Sequence, residues 1–226
     1  MTSILSRHPS RRVVASLATL LLSTLASASA GLRAQDSASP PRDYTDADVH
    51  FMQGMIVHHA QAVVMSDWAA SHGARPDLQL LCKRIALSQR DEIAVMQQWL
   101  RQRHLATPDP LHTLPGHDGP VHDESKMGMP GMDMGEHPMM MKGMLTPDEM
   151  RQLDAARDSA FDRLYLTGMI RHHEGALDMV AKLFATPGSG QQSEVFTFAT
   201  DVDAGQRAEI ARMEAILNTL NTGHAK

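Results

Sequence analysis

Residues 51–60 read FMQGMIVHHA and residues 165–174 read YLTGMIRHHE, so the string Gly-Met-Ile-x-His-His is written twice, 114 positions apart. Imidazole and thioether donors suit a transition metal and favour copper in both its oxidation states, whereas calcium and magnesium require cages of oxygen. At about 100° per residue, Phe51, Met55, His58, His59, Ala62 and Met65 fall within an arc of about 120°, the width of a core-facing helical stripe. The candidate ligands are therefore His58, His59, His172 and His173, with Met55, Met65, Met169 and Met179 on the same faces. Glu92 and Glu209 are the acids expected behind them, each able to fix a histidine tautomer. Asp48 lies at the edge of the stripe, and its counterpart Asp162 is placed in the same outer role.

A plainer reading competes with this one. Methionine at helical spacing packs cores, and a buried histidine is usually satisfied by a neighbouring acid, here Glu92 or Glu209. Adjacent histidines in each of two helices weaken that reading, because they leave several ring nitrogens to satisfy at once. Gly54 and Gly168 are expected to permit close helix approach, and Cys82 to be a small buried residue.

A second feature points the same way. Residues 127–144, MGMPGMDMGEHPMMMKGM, hold eight of the seventeen methionines: Met127, Met129, Met132, Met134, Met139, Met140, Met141 and Met144, with His137 among them. Thioether needs no deprotonation and forms no disulfide, so clustered methionine suits Cu(I) or Ag(I) in an oxidising compartment. The competing view is an adaptable, sticky loop that docks a partner.

These residues require helices to carry them. Thr45 with Asp48 three residues on resembles a capping box, and apolar spacing runs from there to His72-Gly73. Pro76 suits the first turn of a second helix, reaching about Arg103. Periodicity stops over residues 105–145, a long crossover. It resumes at Thr146-Pro147-Asp148-Glu149, which opens a third long helix ending near Pro187, and a fourth runs from about Gln192 to Leu220. The repeat extends beyond the first motif: Asp48, Phe51, Ala62 and Met65 align with Asp162, Tyr165, Ala176 and Met179, and QRDEIAVM at 89–96 aligns with QRAEIARM at 206–213. The duplicated unit is a whole helical hairpin. Two hairpins joined by a long crossover predict an all-α, ferritin-like four-helix bundle over residues 45–222, with a pseudo-two-fold axis that sets the two motif-bearing helices side by side.

The remaining segments place the chain. Arg11 and Arg12, the apolar run 13–25 and Ala28-Ser29-Ala30 read as a secretory signal peptide over residues 1–30, cleaved near Ala30, so the mature protein is expected in a periplasm or secreted. Residues 31–44 read as a flexible tether, and no later segment has the roughly 20 apolar residues a membrane span needs. Removing residues 1–30 leaves 18 basic against 26 acidic side chains, a net charge of −8 with histidine neutral, which disfavours nucleic acid and anionic lipid. The single Cys82 excludes an internal disulfide framework.

FMQGMIVHHAQAVVM, MLTPDEM, FDRLYLTGMIRHHEGALDM and the paired Gln-x-x-Glu-Ile stretches resemble the domain-of-unknown-function family 305, DUF305, over about residues 45–220. The resemblance implies a small exported ferritin-like bundle and, because the family includes periplasmic copper-binding members, copper binding through Met55, His58, His59, Met65, Met169, His172, His173 and Met179. The expectation is a copper-binding protein that sequesters or delivers the ion for metal tolerance, without a catalytic step, in partnership with a copper exporter or chaperone. Two alternatives stand beside it: a ferritin-like oxidase acting on Cu(I), and a scaffold whose methionine loop docks a partner. The Glu-x-x-His pairs of di-iron bundles are absent, which counts against iron.

Overall fold

The computed structural model describes residues 42–109 and 141–222. The leader, the tether up to residue 41 and the crossover positions Met127, Met129, Met132, Met134, His137, Met139 and Met140 lie outside the described residues.

Five helices follow in order, with no strand among the described residues: α1 Asp46–Asp67, α2 Pro76–Gln102, α3 Pro147–Ala155, α4 Asp158–Ala185 and α5 Ser193–Thr222. Local chemistry sets their starts. Thr45 accepts from the Asp48 amide at 3.1 Å while the Asp48 carboxylate accepts from the Thr45 amide at 2.7 Å, a complete capping box. Thr146 and Glu149 repeat it at α3, and Pro76 occupies the first turn of α2.

The third helix is not continuous. The sequence predicts an unbroken element from Thr146, but Ala156 and Arg157 are extended and Asp158 takes a φ of +52°. The break lets the turn after α1 dock there: the Asp158 amide donates to the His72 carbonyl at 2.8 Å, and His72 Nε2 lies 2.9 Å from the Asp154 carbonyl. Short α3 is held against α4 by a paired contact of Arg171 with Glu149, both distances 2.8 Å. That guanidinium holds the Glu149 carboxyl down to about 2.

Helices α1 and α2 pack as one hairpin, α4 and α5 as the other, and α1 lies against α4. The pseudo-two-fold relation is visible in the core. One apolar cluster contains Phe51, Met55 and Met96 with Met179 against it; the other contains Tyr165, Met169 and Met213 with Met65. Repeat-related residues thus exchange clusters, as antiparallel crossing of α1 and α4 requires.

Asp48 and Asp162 serve the turns rather than the histidines. Asp48 Oδ1 accepts from the Gly190 amide at 2.7 Å, in the turn of the other hairpin, and Asp162 Oδ1 accepts from the Arg75 amide at 3.2 Å, again across the axis. Each duplicated aspartate therefore ties its helix to the opposite hairpin. Asp48→Ala leaves a buried amide unpaired and removes the cap, so a loss of about 1–3 kcal/mol is expected in urea unfolding. An unchanged midpoint would show that this tie contributes nothing.

Candidate metal centre

Where α1 crosses α4, the imidazoles of His58 and His172 face each other, with ring centroids 3.8 Å apart and planes inclined by 40°. They sit on the pseudo-two-fold axis and are fully buried. His59 and His173 flank them, their centroids 6.5 Å and 6.2 Å from the preceding histidine, and are equally buried.

Each flanking histidine meets an acid from the second helix of its own hairpin. His59 Nε2 donates to Glu92 Oε2 at 2.6 Å, and His173 Nε2 donates to Glu209 Oε2 at 2.7 Å. An ionised carboxylate only accepts, so the proton is on Nε2 and the lone pair on Nδ1. Burial raises the Glu92 carboxyl, but the bonds from His59 and Ser88 outweigh it and leave its pKa below the ordinary value. His58 Nε2 points at the Lys142 carbonyl, 3.3 Å away, which likewise assigns its lone pair to Nδ1. His172 has only a weak interaction with the His58 backbone.

The result is five buried ring nitrogens without a hydrogen-bond partner: Nδ1 of His58, His59 and His173, and both nitrogens of His172. Burying an unpaired polar group costs about 1–3 kcal/mol, so a purely structural role leaves this arrangement unexplained. The repeat-related Gln89 and Gln206 add further unpartnered amide atoms in the same interior.

Burial, reinforced by His59, pushes the His58 pKa down to about 3, and burial with neighbouring histidines also holds His172 low. Burial lowers His173 as well, in spite of its bond to Glu209. The lone pairs of His58, His172 and His173 are therefore free at neutral pH without loss of a proton. Stability follows with a definite sign. The unfolded chain protonates His58 near pH 6.5 and the folded chain only near 3, so stability is full above 6.5 and falls as pH drops through that window. Between pH 7.5 and 5 the expected loss from His58 alone is about 2 kcal/mol, read as a falling urea midpoint. A flat midpoint over that range would contradict the buried neutral state.

The methionines surround this polar layer. Met55 and Met169 are fully buried on either side of it, in different apolar clusters, and Met65 is equally buried. At Gly54 an added Cβ would lie 3.3 Å from Met141 Sδ and 3.3 Å from Met179 Cε; at Gly168 it would lie 3.2 Å from the Leu145 side chain. Gly54 makes room both for Met179 of the facing helix α4, in keeping with the helix approach expected of it, and for Met141 from the end of the crossover, whereas the space at Gly168 is taken by Leu145 of the crossover alone. Cys82 is buried, its thiol pushed up to about 12 by that burial, so it offers no thiolate. Among the described residues no three His, Cys, Asp or Glu side chains already gather as a closed metal cage would require. An ion at the seam would take two imidazoles or draw thioethers in beside them.

Sequence patterning did not reveal what covers the site. Residues 141–145 cross the α1–α4 seam as a strap, clamped by Gln61: its Oε1 accepts from the Leu145 amide at 2.7 Å and its Nε2 donates to the Leu145 carbonyl at 2.9 Å. The repeat-related position on α4 is Gly175, where the strap backbone passes so closely that a Cβ would lie 2.7 Å from the Lys142 carbonyl carbon and 2.9 Å from Gly143 Cα. Within the strap, Lys142 pairs with Asp178 and Met144 is buried. Glutamine in one repeat and glycine in the other let a single chain cross the seam, clamped on one side and accommodated on the other.

The family model described as domain of unknown function (DUF305) matches residues 48–217. The chain belongs to the DUF305 family. Among solved structures it is similar to a DUF305 fragment from Deinococcus radiodurans, 27% identical with a TM-score of 0.60, covering 79% of this chain and 99% of that one. It is also similar to CopM in a Cu(II)-bound form, 25% identical with a TM-score of 0.56, covering 76% of this chain and 96% of that one. CopM has further been solved in Cu(I)-bound and Ag-bound forms. A curated relative, the uncharacterised protein L153 of Acanthamoeba polyphaga mimivirus, is 36% identical over 58 residues, which is 26% of this chain and 38% of the relative's own length. Among the described residues of this DUF305 protein, no helix is long and apolar enough to cross a membrane.

Proposed function

We propose that this DUF305 protein binds copper outside the cytoplasm and sequesters it or hands it on, taking Cu(I) in preference, Cu(II) through its imidazoles, and Ag(I) as a chemical surrogate. The observation that carries this reading is the set of five buried imidazole nitrogens without partners, two of them on rings oriented by Glu92 and Glu209. Copper in CopM, a protein of the same fold, supports it. The leader read at residues 1–30 supports export, and a copper exporter or chaperone is the partner class that would receive the ion. The site needs no catalytic step; oxygen uptake on addition of Cu(I) would instead mark an oxidase.

Competition titration with a Cu(I) chelator tests the assignment. Deleting residues 127–140, which spares the strap at 141–145, is expected to remove weaker sites and leave a tight one, whereas His→Ala at 58, 59, 172 and 173 together removes the tight one. Unchanged affinity in both variants would overturn the reading.

A further inference from the structure

The outer face of α2 carries apolar residues that nothing in the described fold covers. Leu80 and Leu87 are each 62% exposed and Val95 is 52% exposed. At about 100° per residue these three, with Arg84 and Asp91, lie within an arc of about 80°, so they form one stripe along the helix. Arg84 and Asp91 are exposed and make no ion pair or hydrogen bond within the described chain.

The duplicated hairpin supplies an internal comparison. Helix α5 occupies the equivalent place, and its matching positions are Thr197, Asp201, Ala204, Ala208 and Arg212, also exposed but polar or small. The apolar stripe is therefore a property of α2 alone and not a requirement of the fold.

Its order is self-complementary. About a point between Leu87 and Ser88, close to the middle of the helix, Leu80 is the mirror position of Val95 and Arg84 that of Asp91. An antiparallel copy of α2 laid on this face would set Leu87 against Leu87 and Ser88 at the two-fold axis, Leu80 against Val95 on both sides, and Arg84 against Asp91 twice. A parallel copy would oppose like charges. An isologous dimer requires this kind of pattern, in which residue i meets j and j meets i.

We propose that the outer face of α2 is a homodimer interface in which two copies of this chain pack antiparallel about Leu87, fixed in register by reciprocal Arg84–Asp91 pairs. A single helix face is small beside a standard interface, so the expected dissociation constant is about 10–100 µM. The inference is independent of the metal reading.

Sedimentation velocity on the purified full chain, from about 1 µM to about 1 mM, tests it. The wild-type protein is expected to pass from monomer to dimer over that range. Leu87→Glu should abolish dimerisation, and Arg84→Glu and Asp91→Arg should each weaken it about tenfold or more by opposing like charges twice. The double variant Arg84→Glu with Asp91→Arg restores both pairs and should recover association to near the wild-type level. A wild-type chain that stays monomeric throughout, or a double variant no better than its worse single parent, would overturn the proposal. All substitutions are on exposed positions, and unchanged helical circular dichroism distinguishes lost association from lost fold.

Discussion

Exchanging His172 for leucine is expected to stabilise the metal-free protein while weakening its tightest copper binding by about a hundredfold. Leucine has nearly the volume of histidine, and neither ring nitrogen of His172 makes a well-formed hydrogen bond that the exchange would break. Removing two buried unpaired nitrogens and an imidazole whose ring centre lies 3.8 Å from that of His58 should raise stability by about 1–3 kcal/mol. A structural histidine behaves in the opposite way, since its loss would strip a partner from another group. Functional sites retain such costs because the chemistry needs them, and on the proposed reading the stability gained here comes with the loss of a ligand. Thermal unfolding and copper competition on the same variant give both halves of the result. A destabilised variant with unaltered copper affinity would return His172 to the core as an ordinary packing residue.

Glu92→Leu makes the complementary contrast, because it leaves His59 Nε2 buried and unpaired; it should cost about 1–3 kcal/mol and free the ring to turn. The two substitutions are both apolar replacements of polar side chains at the site, one buried and one half-buried, and they are expected to move stability in opposite directions.

Gly175→Ala is expected to have a large effect for a single added methyl group. The added Cβ meets Lys142 and Gly143 backbone, not the pliable end of a side chain, and Gly143 itself sits at φ +85° with little freedom to retreat. Either the fold bears about 3 kcal/mol of overpacking or the strap leaves the seam. Departure of the strap would break the Gln61 clamp and remove the Lys142 carbonyl from His58. Trypsin distinguishes the outcomes, since cleavage after Lys142 should accelerate if residues 141–145 are released, and copper should then reach the histidines faster. Gly205→Ala serves as the control: nothing lies within 4 Å of its Cβ, its helix gains intrinsic propensity, and a gain of about 0.5–1 kcal/mol is expected. Equal behaviour of the two alanines would mean that the strap does not press on α4.

Much of this architecture was legible because the doubled motif repeats both composition and spacing. Periodicity placed four long helices, and the Thr45 and Thr146 capping boxes marked two starts to the residue. The break before Asp158 was not legible, as no proline or glycine announces it and its cause is a turn docking from 85 residues earlier, around His72. Asp48 was legible as the partner of Thr45 in a capping box, but the ties that Asp48 and Asp162 make across the axis were not. Their position on the edge of the stripe is local, whereas their partners, Gly190 and Arg75, are brought to them only by the two-fold packing. The glycines of the motif were read as helix contacts, which Met179 of α4 bears out in part at Gly54, but Met141 and Leu145 also fill the space they leave. Those two side chains belong to a stretch without periodicity, so nothing in the pattern could show where they would lie. That Glu92 and Glu209 stand behind the histidines was readable from the repeat, because acid and imidazoles recur together in each hairpin, but which histidine each acid meets, His59 and His173, depends on how the helices pack.

Anomalous diffraction at the copper edge, from crystals of the metal-loaded protein, measures the central assignment directly. The expected result is a peak at the crossing of α1 and α4, within bonding distance of His58 or His172 and of at least one further imidazole or thioether. Strong peaks confined to the protein surface, with His58 and His172 still in contact ring to ring and no density between the helices, would contradict it.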